Sequence, residues 1–370
     1  MLLIERKKVL VVPLILSLIV LYMLGLYWAL PYIPLMICIF FDRELTWADY
    51  LLLIVFSLGL MILSLAGIVQ FAFFSQALAL YEINENLFFW FSEGNLHAVR
   101  FMIAYPAVLI SKINALTLNE AFTVYSCMAF VLIGFFFLRL LKNIKGLTAF
   151  NRGVGLALLM ILSLLMNGRL IYAFLGIVLI LDAEWKYKKY EKGVVALKVS
   201  EITGLILTMV SSGTMTIASV FILFMNGIQW IESKEKRQRR KLLAVNILLI
   251  YPFIDKFLPY FIRFLIKNIN YYGGGFHGAI GVMQHGLGRF FYTENTNVYF
   301  LIVAAALLAV SINMIFFIEY IVRAKNPYLP VLLIANLCIY GGVFGFSTGL
   351  LALLPVMALI LSVYFRRIKI

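Results

Sequence analysis

PYLPVLLIANLCIYGGVFGFSTGLLALLPVMALILSVYF, residues 327–365, is a run of 39 mostly apolar residues lying between two basic ends, Arg323/Lys325 and Arg366/Arg367/Lys369. It is too long for one membrane helix, which takes about 20 residues, and long enough for two. The spacing predicts a helical hairpin turning near Gly345-Phe346-Ser347-Thr348-Gly349, with both basic ends on the cytoplasmic side by the positive-inside bias. The same pattern recurs upstream. Residues 297–322 form one span ending at Arg323/Lys325, and residues 242–266 form another that leads back to the basic run Lys234–Lys241. The segment between these spans, 268–296, then faces outward.

Further upstream, 194–230 reads as a hairpin turning at Ser211-Ser212-Gly213-Thr214, and 149–183 as one turning at Asn167-Gly168-Arg169. Residues 101–140 form a fourth, turning near Asn119-Glu120. Each leg is short, which suits tilted or half-length helices. Residues 9–41 are apolar but broken by Pro31 and Pro34, and fit either one bent span or a tight hairpin. Loops 42–49 and 82–100 are both slightly acidic, so charge does not fix their side. One span for 9–41 and one for 50–72 give an all-α polytopic membrane protein of about twelve helices (roughly 10–14), with both termini cytoplasmic. Residues 1–370 make a single integral membrane domain, with 268–296 an extracytoplasmic loop within it.

Composition agrees. The chain is 64% hydrophobic and 13% charged, with mean hydropathy +1.01. Soluble domains have about 45–50% apolar and about 25% charged residues. Continuous apolar runs exclude the alternating pattern of a membrane barrel. The net charge of +14 is spread over short inner loops: Arg6-Lys7-Lys8, Lys142/Lys145, Lys186–Lys192, Lys234–Lys241 and the two C-terminal groups. That distribution reflects topology, and it argues against nucleic acid as a partner. Cys38, Cys127 and Cys338 lie in apolar segments, with no CxxC pair and no metal constellation. No cofactor is expected.

Residues 268–297, NINYYGGGFHGAIGVMQHGLGRFFYTENTN, are the longest polar interruption. Irregular glycine-rich backbone cannot face lipid, so such a loop sits in water or lines a cavity. Cations on the outer side lack the usual topological explanation. Arg169 lies at the outer turn of 149–183, Arg263 and Lys267 at the outer end of 242–266, and Arg289 in the loop. Together they make candidate ligands for an anion such as a diphosphate, with lipid snorkelling as the plainer alternative for each. His277 and His285, with Glu294 in reserve, are candidates for a general base. Tyr271, Tyr272 and Tyr292 flank the loop; they suit an interfacial aromatic belt or the stacking of sugar rings. Asp255-Lys256 interrupt an apolar span beside Pro252, and an ionisable pair there marks either a functional site or a local water pocket.

In architecture the chain resembles the Wzy-type polymerases of O-antigen and capsular polysaccharide, including the EpsG-like branch. The resemblance covers most of the chain. It rests on helix number, short basic inner loops, the Arg-led helix Asn167-Gly168-Arg169-Leu170-Ile171-Tyr172-Ala173, the turn Ser211–Thr214 leading a small-residue helix, and one large outer loop late in the chain. It implies a metal-independent glycosyltransferase of the bacterial inner membrane. Such an enzyme moves the growing glycan from undecaprenyl diphosphate to a lipid-linked repeat unit on the outer face, with membrane lipid and a chain-length regulator protein as further partners. Two alternatives stand beside it. A lipid-linked oligosaccharide flippase would favour charges buried along a central cavity. A polyprenyl-phosphate-dependent glycosyltransferase would carry acidic residues in its first outer loop, where this chain has Asp42, Glu44 and Asp49. A membrane acyltransferase is discounted: it would need an early Arg and His pair, and only His97 and Arg100 approach that.

Overall fold

The computed structural model describes residues 45–68, 73–95, 97–114, 116–143, 148–165, 168–190, 194–232, 258–284 and 329–343, with scattered single positions elsewhere. The described residues are helical, with no strand among them. Three of the described helices are long and apolar enough to cross a membrane, over 47–64, 118–142 and 213–230. This is an α-helical protein with membrane-spanning character. It divides into two compact units, residues 1–182 and 183–370.

In the first unit, α1 (Trp47–Leu65) starts at a capping box. Thr46 Oγ1 and the Thr46 backbone N–H both donate to Asp49 Oδ2, at 2.6 and 3.0 Å, and Asp49 N–H reaches back to Thr46 Oγ1. These bonds satisfy helix-end groups that would otherwise be left open. Three short helices follow, α2 (Ser75–Ile83), α3 (Leu87–Ser92) and α4 (Ala98–Asn114), then the long α5 (Leu118–Asn143) and α6 (Ala149–Leu165). Helix α7 (Gly168–Tyr190) begins in this unit and ends in the second.

Side-chain contacts fix the helix directions. Ser64 meets Cys127 at 3.9 Å, and a Cβ on Gly134 would lie 2.7 Å from Leu53, so α1 and α5 run antiparallel. Asp49 pairs with Arg152, and Leu52 lies against Gly153, so α1 and α6 run parallel. The chain thus enters α1 on the side from which it enters α6, next to the basic turn at Lys142. Tyr50 Oη also donates to the Ile39 carbonyl at 2.9 Å, tying α1 to the segment before it.

The hairpin expected over 101–140 is present as α4–α5, but its turn precedes α5, with Leu116 and Thr117 described in it, rather than falling at Asn119-Glu120. The reason is a second capping box. Thr117 Oγ1 and N–H donate to Glu120 Oε2 at 2.6 and 2.8 Å, which places Asn119 and Glu120 in the first turn of α5. Ser111 closes the turn by donating to the Leu116 carbonyl.

The two arms are unequal. Tyr125 Oη donates to the Ile103 carbonyl across the antiparallel pair, so α4 begins about 20 Å short of the far end of α5 at 1.5 Å per residue. Helix α2 runs parallel beside α4, held by Arg100 to Gln76 at 2.7 Å and Lys112 to Glu85 at 2.8 Å. Residues 82–100, read from sequence as a loop, contain α3 and the start of α4.

The second unit holds α8 (Val194–Thr208) and α9 (Ser212–Glu232), packed as the expected hairpin, but with its turn at 209–211 rather than at Ser211–Thr214, since Ser212, Gly213 and Thr214 open α9. It also holds α10 (Leu258–Tyr271), α11 (Gly275–Gln284) and α12 (Leu329–Val343), the last packed on α9.

Candidate functional site

The described part of the region expected to be an irregular outer loop, 268–284, is largely helical, and 285–296 lies outside the described residues. Helix α10 runs through residue 268 to Tyr271, and α11 occupies 275–284. Gly273, Gly274 and Gly275 carry φ of 109°, 75° and 50°, the left-handed region that glycine adopts without strain. Gly274 N–H donates to the Ile269 carbonyl at 2.9 Å and Gly273 N–H to that of Asn270 at 3.2 Å, the double bond of a Schellman cap. The glycines therefore fix a tight reversal between α10 and α11.

Two more glycines let the helices close. A Cβ on Gly278 would collide with the Ile269 carbonyl oxygen, and one on Gly281 would lie 2.6 Å from Tyr272 Cβ. Both positions are buried. Gly278 and Gly281, three apart, lay a bare stripe along α11 that meets Ile269 and Tyr272 at the end of α10.

Helix α10 is amphipathic. Its sequence, LPYFIRFLIKNINY, spaces Arg263, Lys267 and Asn270 along one stripe, with apolar residues on the others. Its 14 residues span about 21 Å. That is short of the roughly 30 Å hydrocarbon core, and suits a helix lying at an interface. The cations expected at the outer end of the span at 242–266 thus lie on α10, and most of 242–257 lies outside the described residues. Asp255, upstream of it, is exposed.

This hairpin gathers part of the candidate set. Lys267, Tyr271 and His277 are exposed, and Tyr272 is half-buried at the reversal. The rings of Tyr271 and Tyr272 meet edge to face with centroids 5.1 Å apart. A cation, an imidazole and two phenol rings therefore share the tip of one rigid hairpin, with Arg263 one turn before Lys267. Arg169 lies in the first turn of α7, in the other unit. His285, Arg289, Tyr292 and Glu294 lie outside the described residues.

A second polar constellation, unmarked in the sequence reading, lies inside the second unit. Glu184 on α7, Lys198 and Glu201 on α8, and Asn226 and Gln229 on α9 converge. Lys198 Nζ donates to Glu201 Oε2 and Oε1 at 2.6 and 2.9 Å and to Asn226 Oδ1 at 2.7 Å, and stands 3.7 Å from Glu184 Oε1. Gln229 Nε2 donates to Glu184 Oε2 at 2.5 Å. The side chains of Glu184 and Glu201 are 0% and 3% exposed and that of Lys198 is 11% exposed. The signal was there to find: Lys198/Glu201 and Asn226/Gln229 are each pairs three apart, on one face of a helix within an apolar hairpin.

The first unit buries its own ion pair, Arg152 Nε to Asp49 Oδ1 at 2.7 Å. Three residues beyond Arg169, Tyr172 is buried and shares a 3.0 Å hydrogen bond with Ser126. Phe74, Phe122 and Tyr125 surround it, a packed aromatic core beneath the start of α7.

No protein-family model matches this chain, and neither a curated protein nor a solved structure matches it. The class that fold and composition define is an α-helical membrane protein; its activity has to be argued from the site.

Proposed function

We propose that this chain is a polysaccharide polymerase of the bacterial inner membrane. It would transfer a growing glycan from undecaprenyl diphosphate to the hydroxyl of a lipid-linked repeat unit on the outer face. The observation that carries this reading is the α10–α11 hairpin, which groups Lys267, Tyr271, Tyr272 and His277 on an amphipathic, interface-suited element. In such a reaction the acceptor hydroxyl attacks the anomeric carbon and the lipid diphosphate leaves. Cations must meet the charge growing on the diphosphate, and a base must take the acceptor proton. Lys267 and Arg263, with Arg169 and Arg289, supply the first, and His277, His285 or Glu294 the second. Tyr271, Tyr272 and Tyr292 offer ring faces to the sugars. Deleting the gene should leave a single repeat unit on the lipid carrier or on lipid A core; long-chain polymer in the deletion strain would reject the reading.

The twelve-helix topology belongs to this proposal in a revised form. The parallel pairing of α1 with α6 favours the tight hairpin for residues 9–41 over a single bent span. The short arm α4 favours α2–α4 as an element dipping partway into the membrane from the outer side. One crossing is added and one removed, so about twelve remain, with both termini cytoplasmic.

A specific observation favours a second reading. Glu184, Lys198 and Glu201 form the kind of buried charge cluster expected of a lipid-linked oligosaccharide flippase. Loss of a flippase would leave no repeat unit at the surface, whereas loss of a polymerase leaves one.

A further inference from the structure

The Glu184 cluster does not balance. It holds two carboxylates, Glu184 and Glu201, and one ammonium, Lys198. Among the described residues, three helices line it. Helix α8 gives Lys198 and Glu201, and α9 gives the neutral Asn226 and Gln229. Helix α7 gives Glu184, with Asp182 and Lys186 flanking it in sequence; α12, packed on α9, carries no charged residue. Lys198 is committed to Glu201, 2.6 Å away, rather than to Glu184 at 3.7 Å. Three buried atoms have no hydrogen-bond partner among the described residues: Glu184 Oε1, Gln229 Oε1 and Asn226 Nδ2. A lone charge in such a place costs several kcal/mol, and each unmet polar atom about 1–3 kcal/mol.

We infer that this cluster is a proton-binding site, with Glu184 Oε1 as the atom that takes the proton. The proton arrives from water as hydronium and leaves a water molecule behind. The carboxylate becomes a carboxylic acid, and no other covalent bond changes. The added proton removes the excess negative charge. It also turns Glu184 Oε1 into a donor, in a cluster where Gln229 Oε1 is an acceptor in need of one. A proton needs a single lone pair, and Glu184 Oε1 offers one without a hydrogen-bond partner among the described residues.

Release of the proton has a structural consequence. Glu184 then holds an uncompensated charge, and Lys198 is the nearest cation. Drawing Lys198 across would loosen its bond to Glu201 within α8 and its bond to Asn226, which holds α8 to α9. Proton occupancy is thereby coupled to the packing of α7 on the α8–α9 hairpin. The inference stands apart from both functional readings, since either activity could make use of it.

The test is infrared difference spectroscopy of the purified full-length protein in lipid nanodiscs at neutral pH, in H₂O and D₂O. The expected result is a protonated-carboxyl C=O band that moves down in D₂O and is lost in Glu184→Gln. Should Glu184→Gln fail to fold, Gln229→Leu provides the second variant; removing the donor to Glu184 should shift the band without abolishing it. A spectrum in which neither change alters the band overturns the inference. So does sodium-dependent thermal stabilisation of wild type that vanishes in Glu184→Gln with no such band, which would make the ligand an alkali cation.

Discussion

Replacing Arg152 by alanine tests the register of the first unit. Asp49 is fully buried, and Arg152 Nε meets its Oδ1 at 2.7 Å across 103 residues of chain. Removing one partner of a buried ion pair costs about 3–5 kcal/mol, because the remaining charge is stranded. Asp49 keeps the two bonds from Thr46 on Oδ2, so the lower end applies, about 3 kcal/mol. Most of that cost is the stranded carboxylate, so Asp49→Asn added to Arg152→Ala should recover a good part of it. The double variant should be more stable than Arg152→Ala alone, with a coupling of about 2 kcal/mol in a double-mutant cycle. The assay is equilibrium unfolding of the protein in mixed micelles, followed by tryptophan fluorescence, with Trp47 in the turn that holds Asp49. A cost below about 1 kcal/mol for Arg152→Ala is what a solvated surface pair gives. That result would refute the buried pairing, and with it the parallel alignment of α1 and α6.

Further predictions concern the hairpin and the proposed chemistry. Gly278→Ala should prise α10 from α11, since its Cβ has no room beside the Ile269 carbonyl, at a cost of about 1–3 kcal/mol or more; faster amide exchange confined to 258–284 would report it, and unchanged exchange would contradict the packing. Gly227→Ala, whose Cβ would meet nothing within 4 Å, is the neutral control. Lys267→Ala and Arg169→Ala should each lower polymerisation by about one to two decades, the worth of a charge-assisted bond of roughly 1.5–3 kcal/mol. Lys234→Ala and Arg239→Ala, in the basic connection, should not; wild-type chain length in Arg169→Ala at equal protein level would remove that residue from the site. His277→Asn should lower turnover while leaving binding of the lipid-linked unit intact, and an unchanged rate would pass the role of base to His285 or Glu294.

The helical, membrane-spanning character was legible because apolar run length and the placement of Lys and Arg report it directly. The 194–230 hairpin was legible too, although its turn lies at 209–211 and Ser212, Gly213 and Thr214 open α9, while Gly168 and Arg169 open α7. The turn before α5 was misplaced because Asn119-Glu120 is polar, as turns often are. The decisive signal was the Thr117–Glu120 pair, which draws both residues into the helix. The glycine-rich stretch at 273–281 was read as loop because glycine is common in both loops and tight helix contacts; only the spacing of three separates the two. The Glu184 cluster was hidden for a different reason. Its members lie on three helices, and each alone resembles a polar residue at the edge of a span. No single-sequence pattern states that Lys198 faces Glu184. The parallel pairing of α1 and α6 is likewise a tertiary fact, carried by Asp49 and Arg152 across a long separation.

The central claim is glycosyl transfer between lipid-linked units, and reconstitution measures it most directly. The purified protein in proteoliposomes would be given a defined undecaprenyl-diphosphate-linked repeat unit, with products resolved by gel and mass spectrometry. A ladder differing by whole repeat units, with free undecaprenyl diphosphate released at each step and no added metal or nucleotide sugar, is the predicted outcome. Movement of the lipid-linked unit from one leaflet to the other with no ladder would contradict it and make the protein a flippase.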